Sequence, residues 1–126
     1  KMKTRIALTI IGIIMILQSI LYPLLADEAI AMMFNVGEEA QQVLKLFQIA
    51  VAPLFFMVGL IMLLLRKAQL ATARTLLLAF IIGYIPTFAG FYFLAASPLT
   101  NAGIADFIPD FLMFGVALLA YTRPKS

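Results

Sequence analysis

The stretch IALTIIGIIMILQSILYPLLA, residues 6–26, decides the class of fold because it contains no charged side chain over 21 positions. A helix of about 20 residues, rising about 1.5 Å per residue, crosses the ~30 Å hydrocarbon layer of a membrane. Two further runs have the same character: residues 46–65 and 75–96 are uncharged over 20 and 22 positions. These three runs predict three membrane-spanning helices.

The composition of the whole chain agrees with this class. Of the 126 residues, 64% are hydrophobic and 12% are charged, with a mean hydropathy of +1.09. A soluble domain is about half apolar and about a quarter charged, so lipid must cover much of this surface. Cysteine and histidine are absent, which excludes disulfides, Cys–His and Ser–His–Asp catalysis, and the usual ligands of haem, zinc and iron–sulfur clusters. We therefore expect no metal site, no cofactor and no nucleic-acid partner.

A fourth span begins within GIADFIPDFLMFGV, residues 103–116. The apolar segment that follows Asp110, from Phe111 to Tyr121, contains only 11 residues, or roughly 17 Å of helix. Either this helix is short, or it extends back through Asp110 and Asp106 and carries carboxylates into the membrane. The predicted spans of a single domain, residues 1–126, are about 6–26, 43–65, 75–96 and 104–121. The outer loop 27–42 contains the apolar segment AIAMMF, a candidate interfacial helix.

Basic side chains mark one side of the membrane. If the spans alternate in direction, eight of the nine Lys and Arg residues fall on one side, and Lys45 is the exception. The six acids fall at the opposite ends: Asp27, Glu28, Glu38, Glu39, Asp106 and Asp110. Cytoplasmic loops are rich in Lys and Arg, so both termini are predicted to be cytoplasmic. The fold is predicted to be an antiparallel four-helix transmembrane bundle in the bacterial inner (plasma) membrane, with spans two and three as neighbours.

Hydrogen-bonding side chains are concentrated in the outer half of the predicted bundle, whereas the inner half is almost entirely aliphatic or Phe. This asymmetry argues against a water-filled pore. It predicts a cup over an apolar floor, open to the outer side or the outer leaflet of the membrane. The candidate ligand-binding residues of this cup are Gln18, Tyr22, Gln48, Tyr84, Thr87, Tyr92, Asp106 and Asp110.

Asp106 and Asp110 are four positions apart and therefore share one helix face. In one interpretation, Asp106 caps a short helix, Pro109 lies in its first turn, and a hydrated Asp110 interacts with the positive end of the helix dipole. In the other, the helix begins near Gly103 and Asp110 is partly buried among Gln18, Gln48, Tyr84 and Thr87. Ionisable residues inside a membrane are costly, so a buried Asp110 would be a proton donor or acceptor, or the counter-ion of a cationic ligand.

A stripe of small residues runs along span three. Ala79, Gly83, Pro86 and Gly90 recur at spacings that place them on one helix face. Small faces let helices approach closely in lipid. We therefore expect this face to pack against another helix of the bundle, with a homodimer through Ala79, Gly83 and Gly90 as the alternative.

Two classes of function follow from these observations. The first is a non-catalytic membrane protein whose cavity binds a membrane lipid or another hydrophobic small molecule, or which serves as an accessory subunit of a larger membrane complex. The second is a small membrane enzyme or a proton-coupled dimeric transporter that uses Asp110, with Asp106 or Tyr84 as its partner. Catalysis needs several convergent titratable groups, which favours the first class, and we assign no catalytic residue.

Overall fold

The structure is a computed structural model that describes residues 2–125, and nearly all of this part of the chain is helical. The five α-helices are α1 (Thr4–Leu24), α2 (Ala26–Met33), α3 (Glu38–Leu64), α4 (Leu70–Ala96) and α5 (Ile108–Thr122). A short 3₁₀ helix, Ile104–Phe107, precedes α5. The two-residue strands β1 (Met2–Lys3) and β2 (Pro124–Lys125) pair in parallel at one end of the bundle.

Four helical segments are long and apolar enough to cross a membrane. They are Thr4–Leu24, Glu38–Leu64, Leu70–Ala96 and Ile104–Thr122, with mean hydropathies from 1.7 to 2.4. Their outer faces carry large apolar side chains: Leu46 and Phe47 of α3 expose 69% and 68% of their surfaces. Exposed apolar surface on this scale indicates contact with lipid. The predicted class, an all-α protein with four helices of membrane-spanning length and polarity, is confirmed.

Two helices begin before the predicted spans, and the outer loop is largely helical. α3 begins at Glu38 rather than at residue 43, and α4 begins at Leu70 rather than at residue 75. Glu38 and Glu39 occupy the first turn of α3, where the helix dipole favours negative charge. A polar first turn therefore continues the helix beyond its apolar part. The apolar segment of the loop forms α2, with Asp27 and Glu28 in its own first turn.

α1 lies at the centre of the bundle. It packs most extensively against α3 and also contacts α4 and α5, while α4 packs mainly against α5. The largest fully buried side chains join three of these helices: Leu8 and Ile11 of α1, Leu77 of α4 and Met113 of α5. The expectation that the second and third spans are neighbours is wrong, since the backbones of α3 and α4 scarcely approach each other. The link between them, residues 65–69, is long enough for the two helices to separate. As a result α3 packs on α1, and α4 packs on α5.

α1 and α3 approach closely where Gly12 faces Gly59. A Cβ atom added to Gly12 would lie 2.9 Å from the carbonyl oxygen of Gly59, and one added to Gly59 would lie 2.8 Å from the carbonyl oxygen of Gly12. Both distances are shorter than van der Waals contact, so a larger residue at either position requires the backbones to separate. Close approach at small residues lets two helices pack tightly in lipid, where no hydrophobic effect drives them together.

The stripe of small residues on α4 is not covered by another helix within residues 2–125. Cβ atoms added to Gly83 or Gly90 would meet nothing within 4 Å, and Ala79 and Pro86 are exposed. The expectation that this face packs inside the bundle is therefore wrong. The reason is the separation of α3 from α4, which leaves the stripe facing open space. The homodimer alternative stays a prediction.

The end of the bundle remote from the β1–β2 pair is tied by Asn35 and Asn101, which we call the asparagine clasp. Each side-chain amide donates to the side-chain oxygen of the other, over 3.0 and 2.8 Å. The backbone N–H of Asn35 donates to the carbonyl of Leu99 at 2.7 Å, and that of Asn101 donates to the carbonyl of Met33. The clasp thus joins the loop that follows α2 to the loop that follows α4.

We predict that Gly12→Ala and Gly59→Ala each lower the free energy of unfolding by about 1–3 kcal/mol, the usual cost of overpacking. The physical reason is that the added methyl group meets a backbone carbonyl, which cannot move aside as a side chain can. The measurement is unfolding in detergent micelles, followed by far-UV circular dichroism. Gly115→Ala is the matched control, because a Cβ atom at Gly115 meets nothing within 4 Å. Equal stability of all three variants would contradict the close approach.

Candidate functional site

A cavity of about 1030 Å³ lies between α3 and α4, where these two helices leave each other unpacked. The four long helices contribute most of its walls, and α2 also contributes. Met15, Gln18 and Tyr22 come from α1, Gln48 and Phe55 from α3, and Phe80, Tyr84 and Thr87 from α4, with Asp110 from α5. The cavity exists because α1 holds α3 on one side while α4 packs on α5.

Different elements of the fold line the two ends of the cavity. Toward the β1–β2 end it is lined by Met15, Met62 and Leu76, and Met62 is buried. Toward the asparagine clasp it is lined by Met32 and Met33 of α2 and by Asn101. α2 and the clasp therefore lie over this end of the cavity, which the sequence predicts to be the outer one, so the structure does not show the alternative of a cup open at that end. The side between α3 and α4 remains uncovered.

Seven of the eight predicted ligand-binding residues line this cavity: Gln18, Tyr22, Gln48, Tyr84, Thr87, Asp106 and Asp110. The eighth, Tyr92, does not, since 71% of its surface is exposed and its ring packs edge-on against Phe93. Tyr92 follows the cavity-lining Phe91 by one position, which turns it by about 100° around the helix. The sequence placed Tyr92 by depth alone, and depth does not determine the direction in which a side chain points.

Tyr84 connects α4 to α5 at the centre of the site. Its Oη donates a hydrogen bond to Oδ1 of Asp110 at 2.8 Å. The side chain is 6% exposed, and its ring packs against Phe80, Phe88 and Phe114 with centroid distances of 4.9, 4.9 and 5.8 Å. A buried hydroxyl is costly without a partner. The bond therefore satisfies Tyr84 and fixes the orientation of the Asp110 carboxyl group.

The two aspartates have different environments, and the structure combines features of both interpretations. Asp106 is exposed at the rim, where its Oδ2 accepts a hydrogen bond from the backbone N–H of Gly103 at 2.8 Å. Pro109 lies in the first turn of α5. Asp110, also in that turn, is half-buried and bonded to Tyr84. The carboxylate of Asp106 therefore closes the turn that precedes α5 at the surface, and the carboxylate of Asp110 lies within the cavity.

The remaining polar groups of the cavity differ in whether they are satisfied. Gln18 Nε2 donates to Tyr22 Oη at 3.0 Å, and Thr87 Oγ1 donates to the carbonyl of Gly83 at 2.8 Å. The side-chain oxygen of Gln48 is buried and accepts no hydrogen bond from any residue in the described range 2–125. A buried acceptor of this kind needs a donor. The α3 side of the cavity therefore carries one unsatisfied acceptor, which is buried beneath the cavity surface.

Sequence reasoning missed several aromatic residues that line the cavity, among them Phe55, Phe80 and Phe91. The ring of Phe91 stacks on that of Phe107, with centroids 4.2 Å apart and planes 3° apart. The helical spacing of these residues is the sequence signal that could have identified two of them, Phe80 and Phe91. Phe80, Tyr84, Thr87 and Phe91 follow one another at intervals of four, three and four residues, and so share a face.

We predict that Tyr84→Phe and Asp110→Leu are energetically coupled. A double-mutant cycle, measured by unfolding in detergent, is expected to give a coupling of about 0.6–1.7 kcal/mol, the range for hydrogen bonds between membrane helices. Thr87→Val is the matched control paired with Asp110→Leu, because the Thr87 hydroxyl is satisfied within its own helix. Strict additivity of the Tyr84 and Asp110 substitutions would show that their bond does not stabilise the fold.

The site must be interpreted from its own chemistry. A carboxyl group, amide groups and phenols surround a largely apolar volume, an arrangement typical of small-molecule sites. A fold by itself does not specify a function. Comparison of the chain with protein families, with curated proteins and with solved structures found no match.

Proposed function

We propose that this protein is an integral membrane protein that binds a lipid or another hydrophobic small molecule in the cavity between α3 and α4. The observation that carries the proposal is the cavity of about 1030 Å³ itself. Small-molecule sites have volumes of about 300–1,000 Å³, mostly apolar walls and a few polar groups that orient the ligand. Here the polar groups are Gln18, Gln48, Tyr84 and Asp110, and the apolar walls extend toward Met62 and Leu76.

The uncovered side of the cavity supports a ligand that comes from the membrane. Ala79 and Gly83 line this side with little side-chain bulk, and α3 scarcely approaches them. Within a bilayer, the space between two separated helices faces lipid chains. A hydrophobic molecule can therefore pass between α3 and α4 without crossing water, so membrane lipid is the expected source or the expected ligand.

We also propose an antiparallel bundle in a bacterial inner membrane with both termini in the cytoplasm. Contacting pairs support the antiparallel part, because residue numbers rise along one helix as they fall along its partner. Such pairs are Gly12 with Gly59, Tyr22 with Phe55, Tyr84 with Asp110, and Phe91 with Phe107. The segregation of Lys and Arg supports the orientation. In this orientation, Asp110 and the asparagine clasp belong to the outer half.

The alternative, a small enzyme or a proton-coupled dimeric transporter that uses Asp110, has less support. Asp106 is bonded to Gly103 at the rim, and Tyr84 is the side-chain partner of Asp110 within residues 2–125. A proton pathway through the membrane uses a chain of ionisable groups, whereas the inner end of the cavity is lined by Met62 and Leu76. A binding protein or an accessory subunit of a membrane complex requires no such chain.

The binding proposal is tested by native mass spectrometry of the gently extracted protein. The wild type is expected to retain a lipid or a hydrophobic small molecule, and Gly83→Leu is expected to lose it, because the new side chain projects into the cavity. Gly115→Leu, a substitution of the same size in open space on α5, should retain the ligand. Retention by Gly83→Leu would contradict the assigned site. The same spectra report whether a homodimer forms, and its loss in Gly83→Leu but not in Gly115→Leu would assign it to the face of Ala79, Gly83 and Gly90.

The orientation is tested with single cysteines, for which the chain is suited because it contains none. We expect Glu28→Cys, on α2, to react with a membrane-impermeant maleimide added to intact bacterial cells. Lys67→Cys, in the link between α3 and α4, should react only after the membrane is made permeable, because basic links face the cytoplasm. Both side chains are exposed, so burial does not limit the reaction. The opposite labelling pattern would reverse the proposed topology.

A further inference from the structure

The carboxyl group of Asp110 has no basic partner in the cavity. Among residues 2–125, neither Lys nor Arg lines this cavity. The basic residues closest in sequence to the cavity walls are engaged elsewhere: Lys45 pairs with Asp27 at 3.0 Å, and Arg74 donates to the carbonyl of Tyr121 at 3.3 Å. A charge held in apolar surroundings is costly unless it is paired. A cation that enters the cavity would therefore gain at Asp110 a partner for its charge that no basic residue of the described range already occupies.

We propose that the ligand of this cavity is a lipophilic amine, with its protonated amino group at Asp110 and its hydrocarbon body in the apolar part of the cavity. This inference rests on the proposed binding function and names the class of ligand. Tyr84 holds one oxygen of the carboxyl group at 2.8 Å and so presents the group in a fixed orientation. Gln48 also lines the cavity, through a side chain whose oxygen is buried and has no donor among residues 2–125.

The walls of the cavity suit a cation with an apolar body. Tyr22, Tyr84 and Phe107 line the cavity together with Asp110, and aromatic rings attract cations through their negative faces. Leu76 and Tyr84 both line the cavity and are eight residues apart on α4. This separation corresponds to about 12 Å along the helix, enough length for a medium alkyl chain below the amino group.

The acidic Asp110, together with the lack of Lys and Arg among the described lining residues, disfavours ligands that carry a phosphate group. A phosphate requires Arg, Lys or a set of free backbone N–H groups, and no basic residue of the described range lines the cavity. Asp110 would also repel it. The polar end of the cavity therefore favours an amine without an acidic group over a phospholipid headgroup, zwitterionic ones included.

The test uses the purified protein in phosphatidylcholine nanodiscs and tritiated decylamine in a scintillation proximity assay, with empty nanodiscs to subtract partitioning into lipid. Unlabelled decylamine, decanol and decyl phosphate compete for the site; they share one chain and differ in the charge of the headgroup. We expect decylamine to compete at least about tenfold better than decanol, and decyl phosphate to compete least. Asp110→Asn should weaken decylamine binding by at least about tenfold, the effect of removing one partner of a desolvated charge pair.

Asp27→Asn is the matched control, since Asp27 is an exposed acid on α2 whose salt bridge lies at the surface. Its decylamine affinity should equal that of the wild type. If Asp110→Asn does not fold, the order of the three competitors on the wild-type protein still decides the question. Equal competition by decylamine and decanol would overturn the amine while leaving the binding function intact, and so would the strongest competition from decyl phosphate. Failure of every probe to bind above empty nanodiscs, with no ligand retained in native mass spectra, would overturn both.

Discussion

The contact of two backbones at Gly12 and Gly59 is the constraint on which the rest of the structure depends. It seats α3 on one side of α1, with the backbone of each glycine close to the carbonyl oxygen of the other. The remaining surface of α1 is used by α5 and, to a smaller extent, by α4. Because α3 is committed to α1 and α4 to α5, no helix fills the space between α3 and α4. The cavity follows from this division rather than from any single residue that lines it.

The polar groups of the cavity come from all four long helices, and one hydrogen bond among them, between Tyr84 and Asp110, joins two walls. Tyr84 of α4 bonds to Asp110 of α5, and Gln18 is satisfied by Tyr22 within α1. Aromatic packing around Tyr84, together with the stack of Phe91 on Phe107, reinforces the α4–α5 wall. The α3 wall contributes Gln48, whose oxygen has no donor among residues 2–125. The α4–α5 wall of the site is thus closely packed, whereas the α3 wall carries a buried oxygen without a hydrogen-bond donor.

The sequence predicts features that depend on averages over many residues, such as the membrane-length helices. It does not predict the direction of a single side chain or which helices pack against each other. Hydropathy over about 20 positions locates the membrane-length helices, and depth along them collects Gln18, Gln48, Tyr84 and Asp110 at one level. Helix adjacency has no such local signal, so the neighbours of α3 and α4 were predicted wrongly. Gly12 and Gly59 each stand alone in an apolar run, and only the fold pairs them. Asn35 and Asn101 are 66 residues apart, and their pairing is likewise seen only in the fold.

The gap between α3 and α4 is a slot that is tied at both ends. At one end, residues 65–69 join the two helices covalently; at the other, the asparagine clasp links the segment that precedes α3 to the segment that follows α4. Thermal motion can widen such a slot in its middle more readily than at its ends. Under the proposed binding function, a slender chain enters this slot from the side, whereas a broad rigid molecule has first to break the hydrogen bonds of Asn35 and Asn101. The width of the slot would then select ligands by shape, in addition to the chemistry of the cavity walls.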